Sequence, residues 1–438
     1  MSEQTQSVLS QTLQLGNKPP IPNRLAKAAM TEGLADSRGL PTAELNRLYE
    51  TWSRGGCGVL ITGNVQVDRR HLERPGNVVI DRELTDDEQQ RFTDWAKSCT
   101  VAGNHVWMQI SHAGRQTQAV VNPKPYAPSA IALGLPGKLF GVPIPLEEDE
   151  IHSIIRRFVN AAVVAQRAGF QGVQIHAAHG YLISQFLSPL ANQRTDHWGG
   201  SLENRARLLM EVVRQTREAV GNDLLIAVKL NSADFQRGGF EVQDSLQVAG
   251  WLADAGVDVL EVSGGNYENP QMVGLAAVDD SLAENPRSST EQREAYFLEF
   301  AAQFREAIDI PLMVTGGFRT ADAMAAAITD DNVSLIGLGR PLCVQPDGPN
   351  GLLDGSSALV RPEDGLRMGP GWFGPNSPFR LLKAANGFAV LGWYYQQIRR
   401  MGNGDTTDSG LGVFSSFLRE QLKQMKDLKA YKREMLTD

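Results

Sequence analysis

The sequence predicts an α/β protein built as a TIM (β/α)8 barrel, on three observations. Short apolar runs alternate with helical patterns along most of the chain. Most of those runs are continuous rather than alternating, as parallel strands covered on both faces require. Eight such strand-then-helix units fit within about 330 residues, the usual scale of a closed barrel rather than an open doubly wound sheet.

The expected strands are, in order, "RLAKAAM" (24–30), "GVLITGN" (58–64), "HVWMQIS" (105–111), "GVQIHA" (172–177), "LLIAVKLN" (224–231), "VDVLEVSG" (257–264), "IPLMVTGG" (310–317) and "VSLIGLGR" (333–340). Helices fill the gaps. Ile151, Ile154, Ile155, Phe158, Val159, Ala162 and Val163 recur at steps of three and one, which is one helical face. Gly169 is placed to cap that helix. "SLENRARLLMEVVRQTREAVG" opens on Ser201 as N-cap and closes at Gly221. "DSLQVAGWLADAGV" and "TADAMAAAI" read similarly.

Two stretches exceed a bare barrel. Residues 116–146 are Pro- and Gly-rich and read as an elaborated loop after strand 3. Residues 346–438 form a mostly helical C-terminal extension to a barrel at 1–345. In its last helix Leu418, Leu422, Met425 and Leu428 share a face, and the lysines read as solvated. "FRLLKAANGFAVLGWYYQQI" (379–398) approaches membrane-spanning length, but Arg380, Lys383 and Asn386 interrupt it. A buried helix or an interfacial surface is expected there rather than a span.

Composition narrows the function. The chain has 438 residues, a net charge of −8 and 42% hydrophobic residues, ordinary for a globular protein and unfavourable for nucleic-acid binding. Cys57, Cys99 and Cys343 stand alone, so their spacing makes neither a disulfide framework nor a zinc or iron–sulfur site. No basic segment followed by an apolar one opens the chain, which fits a cytoplasmic protein. "GPGWFG" (369–374) matches GxGxxG in letters alone. It follows no strand and contains Pro370, so it is not read as a dinucleotide loop.

In a barrel the chemistry sits where strands end. Strand three ends in Gln109, Ser111 and His112, strand four in His176 and His179, strand five in Lys229 and Asn231. Strand six ends in Ser263-Gly264-Gly265. The last two end in "TGGFRT" and "GLGRP", where Gly316, Gly317, Gly339 and Arg340 suit a phosphate, or form tight turns with a structural arginine. Lys229 inside an apolar run needs an anionic partner: Glu261 on the next strand, or a cofactor that becomes anionic. In "HAAHGYLISQFLSP" (176–189), the residues by themselves allow a metal site, a packed core or an anion site.

The stretches "GVQIHAAHGYLISQFLSPLANQRTDHWGGSLENR", "QISHAGR", "VTGGFRT" and "GLGRPL" together resemble the Old Yellow Enzyme family of FMN-dependent ene-reductases, over about residues 23–342. The form HxxH followed by Gly-Tyr is nearer its bacterial xenobiotic-reductase-like branch. The resemblance implies non-covalent FMN at the strand ends and NAD(P)H as reductant. It implies ping-pong hydride transfer to the C=C bond of an α,β-unsaturated carbonyl compound.

It also implies roles. His176 and His179 bind the substrate's carbonyl oxygen, and Tyr181 protonates the α-carbon. Ala28, Ala29 and Met30 line the flavin, and the Thr31 hydroxyl bonds flavin O4. Asn64 stands where the family usually has a small residue. Gln109 bonds the pyrimidine edge. Lys229 replaces the family's arginine near N1/O2, a point charge without the bidentate fork. Gly316, Gly317, Gly339 and Arg340 hold the phosphate. Arg194, Asp196 and Arg205 are mostly structural. No iron–sulfur cluster is expected, because the four cysteines of the dienoyl-CoA-reductase branch are missing. Amine or C–H dehydrogenation on the same barrel, a non-redox lyase using Lys229 as Schiff base, and a non-catalytic flavin-binding relic are the other readings. A homo-oligomer is compatible, as is membrane contact by the extension, though a membrane role is not the main expectation.

Overall fold

The computed structural model describes residues 3–135, 139–264, 300–374 and 377–434. Gly265 of the expected strand-six turn lies outside them. Eight parallel strands close a barrel: β1 Leu25–Lys27, β2 Val59–Ile61, β3 His105–Ser111, β4 Gly172–Ala177, β5 Leu225–Asn231, β6 Val259–Ser263, β7 Leu312–Thr315 and β8 Leu335–Leu338. Each pairs with the next, and β8 pairs with β1 to close the ring. All eight fall within the expected runs. β3 and β4 match their runs end to end, and the other six are shorter because the flanking residues form the turns.

Outside the wall lie α1 Glu3–Leu9, α2 Ala43–Arg54, α3 Asp86–Ser98, α4 Glu148–Ala168, α5 Leu182–Leu187, α6 Leu202–Val220, α7 Val242–Asp254, α8 at 300–307, α9 Ala321–Thr329, α10 Gly348–Leu353, α11 Arg380–Asn403 and α12 Val413–Glu434. Gly169 ends α4 at φ 92°, a left-handed value that glycine adopts without a Cβ clash. Ser201 caps α6 by accepting the Asn204 N–H. On α4 the buried face is Ile151, Ile154, Ile155 and Phe158, then Ala161, Ala162, Val164 and Ala165. Val159 and Val163, expected on that face, are half-buried at its edge, because packing between α3 and α6 rotates the stripe toward small side chains.

The barrel interior is layered. Its lower part is apolar, filled by Ala26, Val59, Ile61, Trp107, Leu225, Ala227, Val259, Met313 and Leu335. One pleat higher the inward positions turn polar: Gln109, Gln174, Lys229 and Glu261. Inward residues follow at steps of two along a strand, so Gln174 and His176 face the same way.

The segment after β8 returns to the barrel. Helix α11 packs on α2 and on the turn Arg340–Cys343, and α12 packs on α11. Ala389, Trp393, Tyr394, Ile398 and Met401 are buried, so the 379–398 stretch is largely an interior helix. No helix among the described residues is long and apolar enough to cross a membrane. Helix α12 differs from expectation. Leu418, Leu422 and Met425 are 47%, 64% and 58% exposed, and the seam that packs is Val413, Ser416, Glu420 and Tyr431. Ion pairs, not the leucine face, orient this helix: Glu420 meets Arg74 and Arg399.

Candidate active site

The end of β4 carries the polar cluster. His176 is 4% exposed and Tyr181 6%. Their rings meet edge to face with centroids 4.8 Å apart, and His176 meets His179 likewise at 5.1 Å. His176 Nδ1 accepts the Ala178 N–H at 3.2 Å. In the neutral ring this assigns the proton to Nε2, which is therefore a donor. Burial, followed by the nearby Lys229 charge, holds both imidazoles well below the ordinary histidine range. They are neutral at pH 7.

His179 has φ 61°, a left-handed backbone that a histidine rarely adopts. Two neighbouring strand ends hold it there. Its N–H donates to Asn231 Oδ1 at 3.1 Å, and its Nε2 lies 2.7 Å from Ser263 Oγ.

Below the histidines a polar row crosses four strands, β3 to β6. Gln109 Nε2 donates to Gln174 Oε1 at 2.7 Å, and Gln174 Nε2 donates to Glu261 Oε2 at 2.6 Å. Lys229 Nζ lies 2.8 Å from Glu261 Oε1. The expected salt-bridge partner of Lys229 is thus the one present. Gln109 keeps its carbonyl oxygen as an acceptor, whereas its amide serves the row.

Ala29, Met30 and Thr31 are half-buried after the fully buried β1, the exposure that a ring-lining segment needs. Ala28 N–H donates to Leu338 O and anchors this segment to β8. The Thr31 hydroxyl donates to Asn64 Oδ1 at 3.1 Å. To donate to a flavin O4 instead, the hydroxyl would have to give up this bond.

At the ends of β7 and β8, Gly316 and Gly317 have φ 155° and 78°. A Cβ on Gly339 would meet only Met30 Sδ, at 3.8 Å, so this turn is open to an incoming group. Arg319 holds the β7 turn, donating to Phe318 O at 2.8 Å and reaching Glu363 Oε1 at 2.5 Å. Arg340 follows Gly339, half-buried. An open turn with an adjacent guanidinium fits a phosphate, and the acceptor and ammonium of the interior row fit a flavin pyrimidine. The residues present fit FMN.

Sequence reasoning missed Gln174, Glu261 as the centre of the row, Ser263 as partner of His179, and Arg319. Gln174 was legible, two residues before His176 on one strand face. Arg194 and Arg205 are structural as expected: Arg194 donates to Leu146 O and pairs with Asp196, and Arg205 pairs with Asp244.

His112 does not join this group. With His71 it faces the buried carboxylate of Asp68, at 3.7 and 3.2 Å. The trio has metal-ligand proximity, but the distal nitrogens accept backbone N–H groups of Gly114 and Tyr126. The nitrogens facing Asp68 must then carry protons, and Arg70 and Arg157 already contact that carboxylate. A cation has no place there.

Comparison with known proteins agrees with this geometry. Residues 9–355 match the family described as NADH:flavin oxidoreductase / NADH oxidase. An NADH-dependent flavin oxidoreductase of Hypocrea jecorina (strain QM6a) is 37% identical over 342 residues, covering 74% of this chain and 84% of that one. The structure of an old yellow enzyme homologue from Zymomonas mobilis superposes with TM-score 0.66 at 26% identity, over 81% of this chain and 94% of its own. Morphinone reductase gives 0.64 at 26%, over 80% and 91%.

Proposed function

The chain belongs to the NADH:flavin oxidoreductase / NADH oxidase family, an FMN enzyme using NAD(P)H, and from that premise we propose that it reduces the C=C bond of α,β-unsaturated carbonyl compounds. Bound FMN supplies a hydride taken from NAD(P)H. The rest is the work of this chain's side chains.

The observation that carries the reading is the meeting of His176, His179 and Tyr181, two neutral imidazoles and a phenol, at one strand end. Reduction at the β-carbon moves negative charge onto the substrate's carbonyl oxygen. The His176 Nε2–H donor, fixed by the Ala178 contact, stabilises that oxygen, with His179 beside it. A preorganised donor of this kind is worth about 3–4 kcal/mol. A neutral donor suits the task, since an imidazolium would risk transferring its own proton. The Tyr181 hydroxyl then delivers a proton to the α-carbon; a phenol, with ordinary pKa near 10, is acid enough against an enolate. The fold's likeness to morphinone reductase supports the reading. Lys229 is engaged by Glu261, which does not favour a Schiff-base role.

The test is anaerobic. Enzyme reduced with NADPH or NADH is freed of nicotinamide and mixed with 2-cyclohexenone. Return of the oxidised flavin spectrum with formation of cyclohexanone supports the proposal. Flavin that stays reduced until oxygen enters refutes it.

A further inference from the structure

Asn64 follows β2 and is 5% exposed. Its Oδ1 receives two donors at 3.1 Å, the Thr31 hydroxyl and the Asn77 amide. Both lone pairs of that oxygen are occupied. The orientation of the carboxamide is not arbitrary. Asn77 Oδ1 accepts the Arg74 backbone N–H at 2.8 Å. Flipping Asn77 would set its amide hydrogens against that N–H. Asn77 is therefore the donor to Asn64, and Asn64 must present oxygen to it. The Asn64 amide nitrogen is left without a hydrogen-bond partner among the described residues, at the rim beside the flavin-lining segment.

Arg74 in turn belongs to the C-terminal hairpin. It is 1% exposed, and its guanidinium bonds Glu420 on α12. It lies 3.9 Å from the Tyr395 ring centroid on α11. Glu420 also takes Arg399 of α11 at 3.0 Å. A Cβ on Gly33, two residues past Thr31, would sit 3.4 Å from the Arg74 guanidinium. The rim loops after β1 and β2 thus close on one arginine that both helices of the hairpin hold.

We infer that the α11–α12 hairpin is part of the cofactor site: through Glu420, Arg74 and Asn77 it fixes the Asn64 carboxamide so that its amide donates a hydrogen bond to a carbonyl oxygen of the FMN pyrimidine ring. Asn64 is the cofactor contact. Asn77, Arg74 and Glu420 are positioning residues. Thr31 serves as the second donor to the Asn64 oxygen. This gives the residues beyond the barrel a function in the chemistry, and it depends on FMN binding alone, not on the identity of the alkene.

The holoenzyme tests it, by FMN dissociation constant, flavin absorption spectrum and midpoint potential, none of which needs turnover. Asn64→Leu should raise the FMN dissociation constant about two- to tenfold, the range of one hydrogen bond, shift the flavin bands and make the potential more negative. Asn77→Leu should move all three in the same direction by less. In the Asn64→Leu background Asn77→Leu should add nothing, because it acts through Asn64. Glu420→Gln should behave as Asn77→Leu does, with partial recovery in Glu420→Asp. If Asn64→Leu keeps wild-type affinity, spectrum and potential, the inference fails. It also fails if Asn77→Leu has its full effect without Asn64. Should Glu420→Gln not fold, the Asn64/Asn77 cycle still decides the contact, and Arg399→Gln replaces it as the probe of the hairpin.

Discussion

Lys229 and Glu261 face each other across β5 and β6 with Nζ and Oε1 2.8 Å apart, and Lys229 stands in register with His176 on the other side. The ammonium is thus partly neutralised where it would meet the cofactor. Glu261→Gln removes the opposing charge without changing the shape. The unopposed ammonium then favours the electron-rich reduced flavin. The midpoint potential should rise by on the order of 30 mV, a tenfold change for a two-electron couple. A spectroscopic redox titration at pH 7 reads it, and a fall in potential would contradict the placement of this pair.

The two rim imidazoles set a pH dependence. Both are held well below the ordinary histidine range, chiefly by burial, so the folded protein keeps them neutral. In the unfolded chain they protonate near 6.5. As pH falls below that value the unfolded state takes up protons that the folded state refuses, so stability falls. Above about 7 the two states bind the same protons there, and this contribution to the slope vanishes. Denaturant midpoints of wild type and His176→Gln, compared at pH 5.5 and 7.5, check it: the variant should lose less on acidification.

Among the described residues the Ser263 hydroxyl meets His179. Ser263→Ala removes the 2.7 Å contact and frees the ring. Affinity for phenol as a carbonyl-oxygen mimic should fall about two- to tenfold, one hydrogen bond's worth of positioning, and Ser263→Thr should restore it. Reduction of the flavin by nicotinamide should be unchanged. A loss confined to flavin reduction would place His179 elsewhere.

Arg319 is 3% exposed and draws Glu363 against the β7 turn. Glu363→Ala leaves a buried guanidinium without that partner. Breaking such a pair costs about 3–5 kcal/mol, so the melting temperature should drop by several degrees. FMN should add less to it than in wild type if the turn holds the phosphate. A differential scanning experiment with and without added FMN measures both effects.

The barrel was legible because its strands are continuous apolar runs ending in polar residues, a pattern that local composition carries. His176, His179 and Tyr181 were legible because fourteen consecutive residues bear them. Other parts were less so. The Thr31 hydroxyl donates to Asn64, 33 residues away, a pairing that local sequence does not reveal. The link from Glu420 to Arg74 joins residues 346 positions apart, and no window of sequence contains both. Helix α12 misled for a different reason. Its leucine face has the stronger periodicity, yet Glu420 on another face finds two arginines, and the buried ion pairs decide which side packs. Pattern reports what a segment would bury if free to choose. It does not report which partners the fold brings near.

The central claim is that Tyr181 supplies the proton to a substrate held by His176 and His179. Tyr181→Phe keeps the ring that packs on His176 and removes the proton. Rapid-mixing measurements should separate the two half-reactions. Flavin reduction by NAD(P)H should proceed at nearly the wild-type rate. Reoxidation by 2-cyclohexenone should slow by about 10²–10⁴-fold, the usual worth of a positioned acid. If both half-reactions slow together, or neither does, Tyr181 is not the proton donor and the account of this site is wrong.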